Sequence, residues 1–152
     1  MRLLADPPDR EGAVRILEEG LAREHGDDAL AQLLNDLAAI ELERGQAGRA
    51  KELLQRGLAL SESALRRYNL GEVFASLGEP ERALEEYRRA ITLDRGRFAY
   101  RRAWARVSGE LSPSRRLEAL QVVTAWVMAE EINVEEGQVL QRQIGPFREE
   151  GR

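Results

Sequence analysis

The chain has 152 residues, 43% of them hydrophobic, with 27 acidic against 23 basic side chains and a formal net charge of -4. One histidine, His25, no cysteine and a single lysine, Lys51, exclude disulfides, thiolate chemistry, cysteine-rich zinc sites and most histidine-based catalysis. Lys51 follows no glycine-rich loop, which excludes a P-loop, and the acidic total argues against a general nucleic-acid binder.

In chain order, residues 1–10 hold a short Leu-Leu-Ala run closed by Pro7 and Pro8, too little for the apolar region of a signal peptide. Ala13, Ile16, Leu17, Leu21 and Ala22 then stand at helical spacing and predict a first helix near 8–25. Similar stripes recur at 29–42, 50–60, 64–77, 83–93, 98–107, 117–128 and 134–144. Helix punctuation separates them: Asp27 and Asp28, Gly45, Ser61 and Ser63, Gly78 before Pro80, Ser112 before Pro113, and Asn133 three residues ahead of Glu136. No segment sustains a two-residue alternation. The expectation is an all-α chain of about eight helices joined by short loops, a single domain over 1–152 with no dividing linker. The most apolar stretch, Leu117 to Met128, is interrupted by Glu118, Gln121 and Thr124 and is too short to span a bilayer. A soluble, cytoplasmic protein without membrane insertion is expected.

Internal repetition decides how such helices stack. A shift of 33 residues pairs Leu37 with Leu70, Ala38 with Gly71, Gly45 with Gly78, Ala50 with Ala83, Gly57 with Ala90 and Leu60 with Leu93. Small residues recur where two helices approach, glycine recurs at the hairpin turn, and leucine recurs where one unit meets the next. Residues 64–94, with Leu70-Gly71, Phe74, Ala83, Tyr87 and Ala90, resemble a tetratricopeptide repeat. Residues 31–60 resemble a looser copy, with Glu41 at the aromatic position and Gly57 in place of alanine. Residues 11–22 are similar to a second helix alone, with Ala13 and Gly20 at its small positions, and 98–130 resemble a degenerate copy with Trp126 at a small-residue position. Arg67 replaces the usual first-helix tryptophan and Arg95 the closing proline.

The resemblance implies a right-handed α-solenoid of antiparallel helix hairpins. Its parts would be a half repeat at 8–25, repeats at 28–60, 63–94 and 97–131, and a capping helix at 133–145. Gly71 and Ala83 would face each other inside the best hairpin, and Leu70, Phe74, Tyr87 and Leu93 would fill the layer between hairpins. The family binds other proteins, usually on the concave face made by first helices. Position by position, that face would display Gln32, Asn35, Asp36 and Ala39, then Leu65, Tyr68, Asn69 and Glu72, then Ala99, Arg102, Ala103 and Arg106. Asn35, Tyr68, Asn69, Glu72, Arg102 and Arg106 are the candidate partner-binding residues. Asparagine can bond both sides of an extended backbone, tyrosine offers an amphipathic platform, and arginine holds a carboxylate bidentately. A clamp for a C-terminal carboxylate of the kind some family members carry is not expected. Only Asn69 matches its positions, the others holding Asn35, Ala39, Ala99 and Ala103.

Charge is uneven. Residues 1–43 carry eleven acids and four arginines, residues 82–116 ten arginines and four acids, and residues 130–152 six acids and three arginines. Arg88, Arg89, Arg95, Arg97, Arg101, Arg102 and Arg106 gather near one helix junction, either as a solvated face with pairs such as Glu85 with Arg89, or as a band that steers an acidic partner. A nucleic-acid role would rest only on this arginine band, with Tyr100 and Trp104 nearby for stacking, and nucleic acid is not an expected partner. Leu117, Leu120, Val123, Trp126, Val127 and Met128 form a wide apolar surface, to be covered by Val134, Val139, Leu140 and Ile144 of the last helix or else left as an interface for self-association. Adjacent acids such as Glu18-Glu19, Glu85-Glu86 and Glu135-Glu136 point to different helix faces, so no catalytic residue is assigned. His25 beside Asp27 and Asp28 reads as a helix-end histidine, and no cofactor or metal is expected. The functional expectation is a protein-interaction adaptor that binds a peptide or protein. The alternative is a structural subunit that docks through its terminal helices with no groove in use.

Overall fold

The computed structural model describes residues 26–146 and, ahead of them, Gly12, Arg15, Ile16, Glu19 and Arg23, which are helical. The rest of the expected helix at 8–25, including Ala13, Gly20 and His25, lies outside the described residues, as do residues 147–152. Within 26–146 the chain is all-α, with seven helices: α1 Asp27–Glu43, α2 Ala47–Leu60, α3 Ala64–Ser76, α4 Pro80–Leu93, α5 Phe98–Ser108, α6 Pro113–Met128 and α7 Val134–Ile144. They fall into two compact units, one ending at Glu62 and one beginning at Ser63.

The first unit is the antiparallel hairpin of α1 and α2. Gly26, not an aspartate, is the N-cap of α1, and Asp27 and Asp28 occupy its first turn, where negative charge complements the helix dipole. Asp28 also accepts a hydrogen bond from the Ser61 hydroxyl just beyond α2. Ala31, Leu34 and Ala38 face Ala50, Leu53, Leu54 and Gly57, all buried. A Cβ on Gly57 would stand 3.3 Å from the Ala31 carbonyl oxygen, so the missing side chain permits the close approach.

In the second unit, α3 and α4 repeat that design. The turns after α1 and α3 are the same motif at a 33-residue offset. Gly45 (φ 77°) and Gly78 (φ 72°) adopt the left-handed conformation, and Gln46 and Glu79 donate back to the carbonyls of Glu41 and Phe74. Ser63 caps α3 by accepting from the Arg66 amide, and Pro80 opens α4. Gly71 meets the Tyr87 ring rather than Ala83: a Cβ there would lie 2.5 Å from Tyr87 Cε1. Leu70, Phe74 and Tyr87 are buried as expected, whereas Leu93 is half exposed, because it sits in the last turn of α4 beyond the reach of α3. Arg67, at the family's tryptophan position, instead pairs with Glu86 across the hairpin at 3.1 Å.

The last three helices depart from the repeat. α5 and α6 touch only weakly, and α7 packs on both. Trp126 of α6 is set edge-on to Trp104 of α5 with ring centroids 5.1 Å apart, a bulk that a small residue would not impose. Two glycines let α7 approach instead. A Cβ on Gly109 would lie 2.6 Å from the Gln143 carbonyl oxygen, and one on Gly137 would lie 2.5 Å from Val127 Cγ2. A reciprocal capping box starts α7, with the Glu136 amide donating to Asn133 Oδ1 at 2.8 Å and the Asn133 amide donating to Glu136 Oε2 at 3.0 Å. Val123, Leu140 and Ile144 are thereby buried, while Met128 and Val134 remain open at 80% and 62%.

Tyr87 is fully buried and has nowhere to retreat, so Gly71→Leu is expected to cost roughly 1–3 kcal/mol and lower the thermal midpoint by roughly 2–12 °C. An unchanged midpoint in a calorimetric scan contradicts this packing.

Candidate functional site

The site is built outward from Tyr87. Its ring fills the space that Gly71 leaves, and its hydroxyl donates to Glu72 Oε1 of α3 at 2.5 Å. Arg106 of α5 donates from Nη2 to the same oxygen at 2.7 Å and lies 3.5 Å from the Tyr87 hydroxyl. Three helices are thus joined at one carboxylate. Tyr68, one turn before Glu72, sets its ring centroid 5.9 Å from that of Tyr87 and 5.1 Å from that of Tyr100, so all three tyrosines of the chain form one cluster. Burial pushes the hydroxyl of each above its ordinary pKa. At Tyr87, where the rise is large, the hydrogen bond to Glu72 and the charge of Glu72 add to it.

Beside this cluster lies an open depression of about 230 Å³, lined by Tyr68, Ala99, Arg102, Ala103, Arg106 and Gln143. Arg102 is exposed and takes part in no ion pair or hydrogen bond among the described residues. The structure therefore brings Tyr68, Arg102 and Arg106 together. Asn69 is half-buried, already engaged within the chain, and not part of the lining. Glu72 is committed to Tyr87 and Arg106, and so it orients the lining rather than offering itself to a partner. Asn35, in the first unit, is only 4% exposed, one turn beyond the fully buried Ala31, which removes it from the accessible surface.

The arginine band also divides. Arg101 is 1% exposed and donates to the Arg95 carbonyl and, at 2.9 Å, to Glu131, so it is structural. Arg89 pairs with Glu85 at 2.7 Å, as its helical spacing implies, and Arg97 with Asp94 at 3.7 Å. Arg88, Arg95 and Arg102 have no ion pair among the described residues. Tyr100 and Trp104 are 3% and 2% exposed, so neither presents a face for base stacking.

Two features escaped the sequence reading. Gln143 reaches the depression only because α7 packs on α5. The Glu72–Arg106 pair spans 34 residues, as does the Glu81–Arg115 pair at 3.2 Å. Opposite charges 34 residues apart, one more than the 33-residue offset of the repeats, are the sequence signal common to both.

The tyrosine cluster carries a pH signature. An unfolded tyrosine ionises near pH 10, whereas Tyr87 in the fold resists ionisation, so above about pH 10 the unfolded state binds fewer protons and stability falls as pH rises. Urea unfolding between about pH 8 and about pH 11 should show that decline, and Tyr87→Phe should flatten it. A wild-type stability that stays level across this range contradicts it.

Comparison with known proteins agrees with this architecture. Residues 66–97 match the model of the tetratricopeptide repeat family. The fold is similar to the crystal structure of MamA, with 17% sequence identity and a TM-score of 0.57 over 90% of this chain and 86% of that one. No curated protein matches the sequence. The α3–α4 hairpin is thus a recognised tetratricopeptide repeat, set in an all-helical fold in which the same turn occurs 33 residues earlier.

Proposed function

We propose that the chain is a non-catalytic, cytoplasmic interaction scaffold, a single repeat domain over 1–152, that takes a carboxylate-bearing peptide segment of another protein at the Tyr68–Arg102 depression. One observation carries this reading: Arg102, exposed and without an ion pair among the described residues, lines the depression together with Tyr68, Ala99 and Ala103. The guanidinium fork matches a carboxylate bidentately, and Ala99 and Ala103 leave room for a peptide backbone to approach. Tyr68 supplies an amphipathic ring and Gln143 an amide with both donor and acceptor. α3 is the first helix of its hairpin and α5 the helix that follows that hairpin in sequence, and first helices are where the family binds its partners.

A second reading, docking through the terminal helices as a structural subunit, is favoured by the exposure of Met128 and Val134. Light scattering separates the two, since the scaffold reading expects a monomer in the absence of partner.

For the scaffold reading, capture from the native organism with the wild-type chain and with a Tyr68→Ala, Arg102→Glu variant is the test. The partner retained by the wild type should be lost from the variant by at least about tenfold, with binding that weakens as salt rises. Equal retention by both chains contradicts the assignment.

A further inference from the structure

A second surface lies on other helices of the same unit. α4 and α6, joined by the Glu81–Arg115 pair, are not closely packed on one another, and between them lies a slot of about 310 Å³. Ile91 of α4 and Val122 and Trp126 of α6 form its apolar floor, with Arg88, Thr92 and Arg95 along one side. The spacing explains the alignment: residues 88, 91, 92 and 95 recur at three, four and seven, one face of a helix continued just past its end.

Contacts brace the slot from two sides. The Arg101 guanidinium stands 5.0 Å from the Trp126 ring centroid, and the Trp104 edge fixes that ring from another side. Arg101 also ties the two rims together, because it bonds the Arg95 carbonyl beyond α4 and Glu131 beyond α6. Glu131 is thereby neutralised, whereas Arg88, poised 5.8 Å from the Trp104 ring, and Arg95 have no acidic partner among the described residues. An apolar floor beside two arginines that form no ion pair among the described residues is complementary to an apolar side chain flanked by carboxylates. The volume sits at the low end for binding pockets, about 300 Å³, which suits one or two side chains rather than an extended small molecule.

We propose that this slot docks an acidic amphipathic segment of a partner protein, its apolar or aromatic side chain entering between Ile91, Val122 and Trp126 and its carboxylates pairing with Arg88 and Arg95. The surface is separate from the Tyr68–Arg102 depression and shares no residue with it.

The probe is a synthetic helical peptide with Leu and Phe on one face and Glu on the other, titrated against the full chain and read by tryptophan fluorescence and by anisotropy of a label. Saturable binding that perturbs Trp126 emission, assigned with Trp126→Phe, is expected. Arg88→Glu with Arg95→Glu should weaken it at least about tenfold and remove most of its salt dependence, Thr92→Phe should block it by filling the slot, and Arg102→Glu should leave it unchanged. Circular dichroism melts of each variant confirm that the fold persists. Any of three results overturns the proposal: no saturable binding by the wild type, equal binding by the Arg88, Arg95 variant, or loss of binding with Arg102→Glu. A wild-type dimer in light scattering that the Arg88, Arg95 variant converts to monomer also overturns it, because the slot would then be an interface between copies.

Discussion

The second unit depends on the contact between a missing side chain and a large one. Gly71 has no Cβ, so the Tyr87 ring lies against the α3 backbone, and the hydroxyl at the far end of that ring reaches Glu72. Burial of an aromatic residue of this size is a large apolar contribution to the hairpin, and the hydrogen bond to a charged acceptor satisfies its one polar atom. Glu72 then holds Arg106, so the hairpin and the next helix are registered through one carboxylate. The orientation of Tyr68 and Arg106 along the depression is a consequence of that registration, not a separate feature.

Much of this was legible in the sequence because repeats expose their constraints twice. The 33-residue offset of Gly45 and Gly78 marks two turns that need positive φ, and the small residues at 38, 50, 57, 71, 83 and 90 mark close helix approaches. The helix boundaries followed from caps and prolines, with Asn133 and Glu136 forming the box their spacing implies. What could not be read was pairwise. The resemblance pairs Gly71 with Ala83, whereas the side chain that occupies its space comes from Tyr87, one turn further along α4. Asn35 and Glu72 sit at nominally exposed helical positions, yet one is covered and the other consumed by two donors, and neither fact has a one-dimensional signal. The end of the repeat pattern had only one marker, Trp126, and nothing in the periodicity shows that α7 serves both α5 and α6.

The arginine-rich segment illustrates how position changes the meaning of charge. Its ten arginines against four acids suggest one positive band. Folding separates them by environment. Arg101 is buried as a brace between two helix ends, Arg89 and Arg97 are paired locally, and Arg106 is drawn to Glu72. Exposed pairs of this kind add little stability, so what matters is which guanidiniums they leave over. Among the described residues, Arg102 is left without an ion pair on the depression that Tyr68 lines, and Arg88 and Arg95 on the slot that Trp126 lines. A scaffold whose surface is its only resource would present charge in that form.

The registration of three helices through Glu72 is tested most directly by a double-mutant cycle in equilibrium unfolding, using Tyr87→Phe, Glu72→Gln and the pair. If the hydroxyl and the carboxylate act as one unit, the two changes are non-additive, with a coupling energy of about 0.5–3 kcal/mol. Additivity to within about 0.3–0.5 kcal/mol would mean that the contact is incidental and that packing of the Tyr87 ring alone positions α3 and α5.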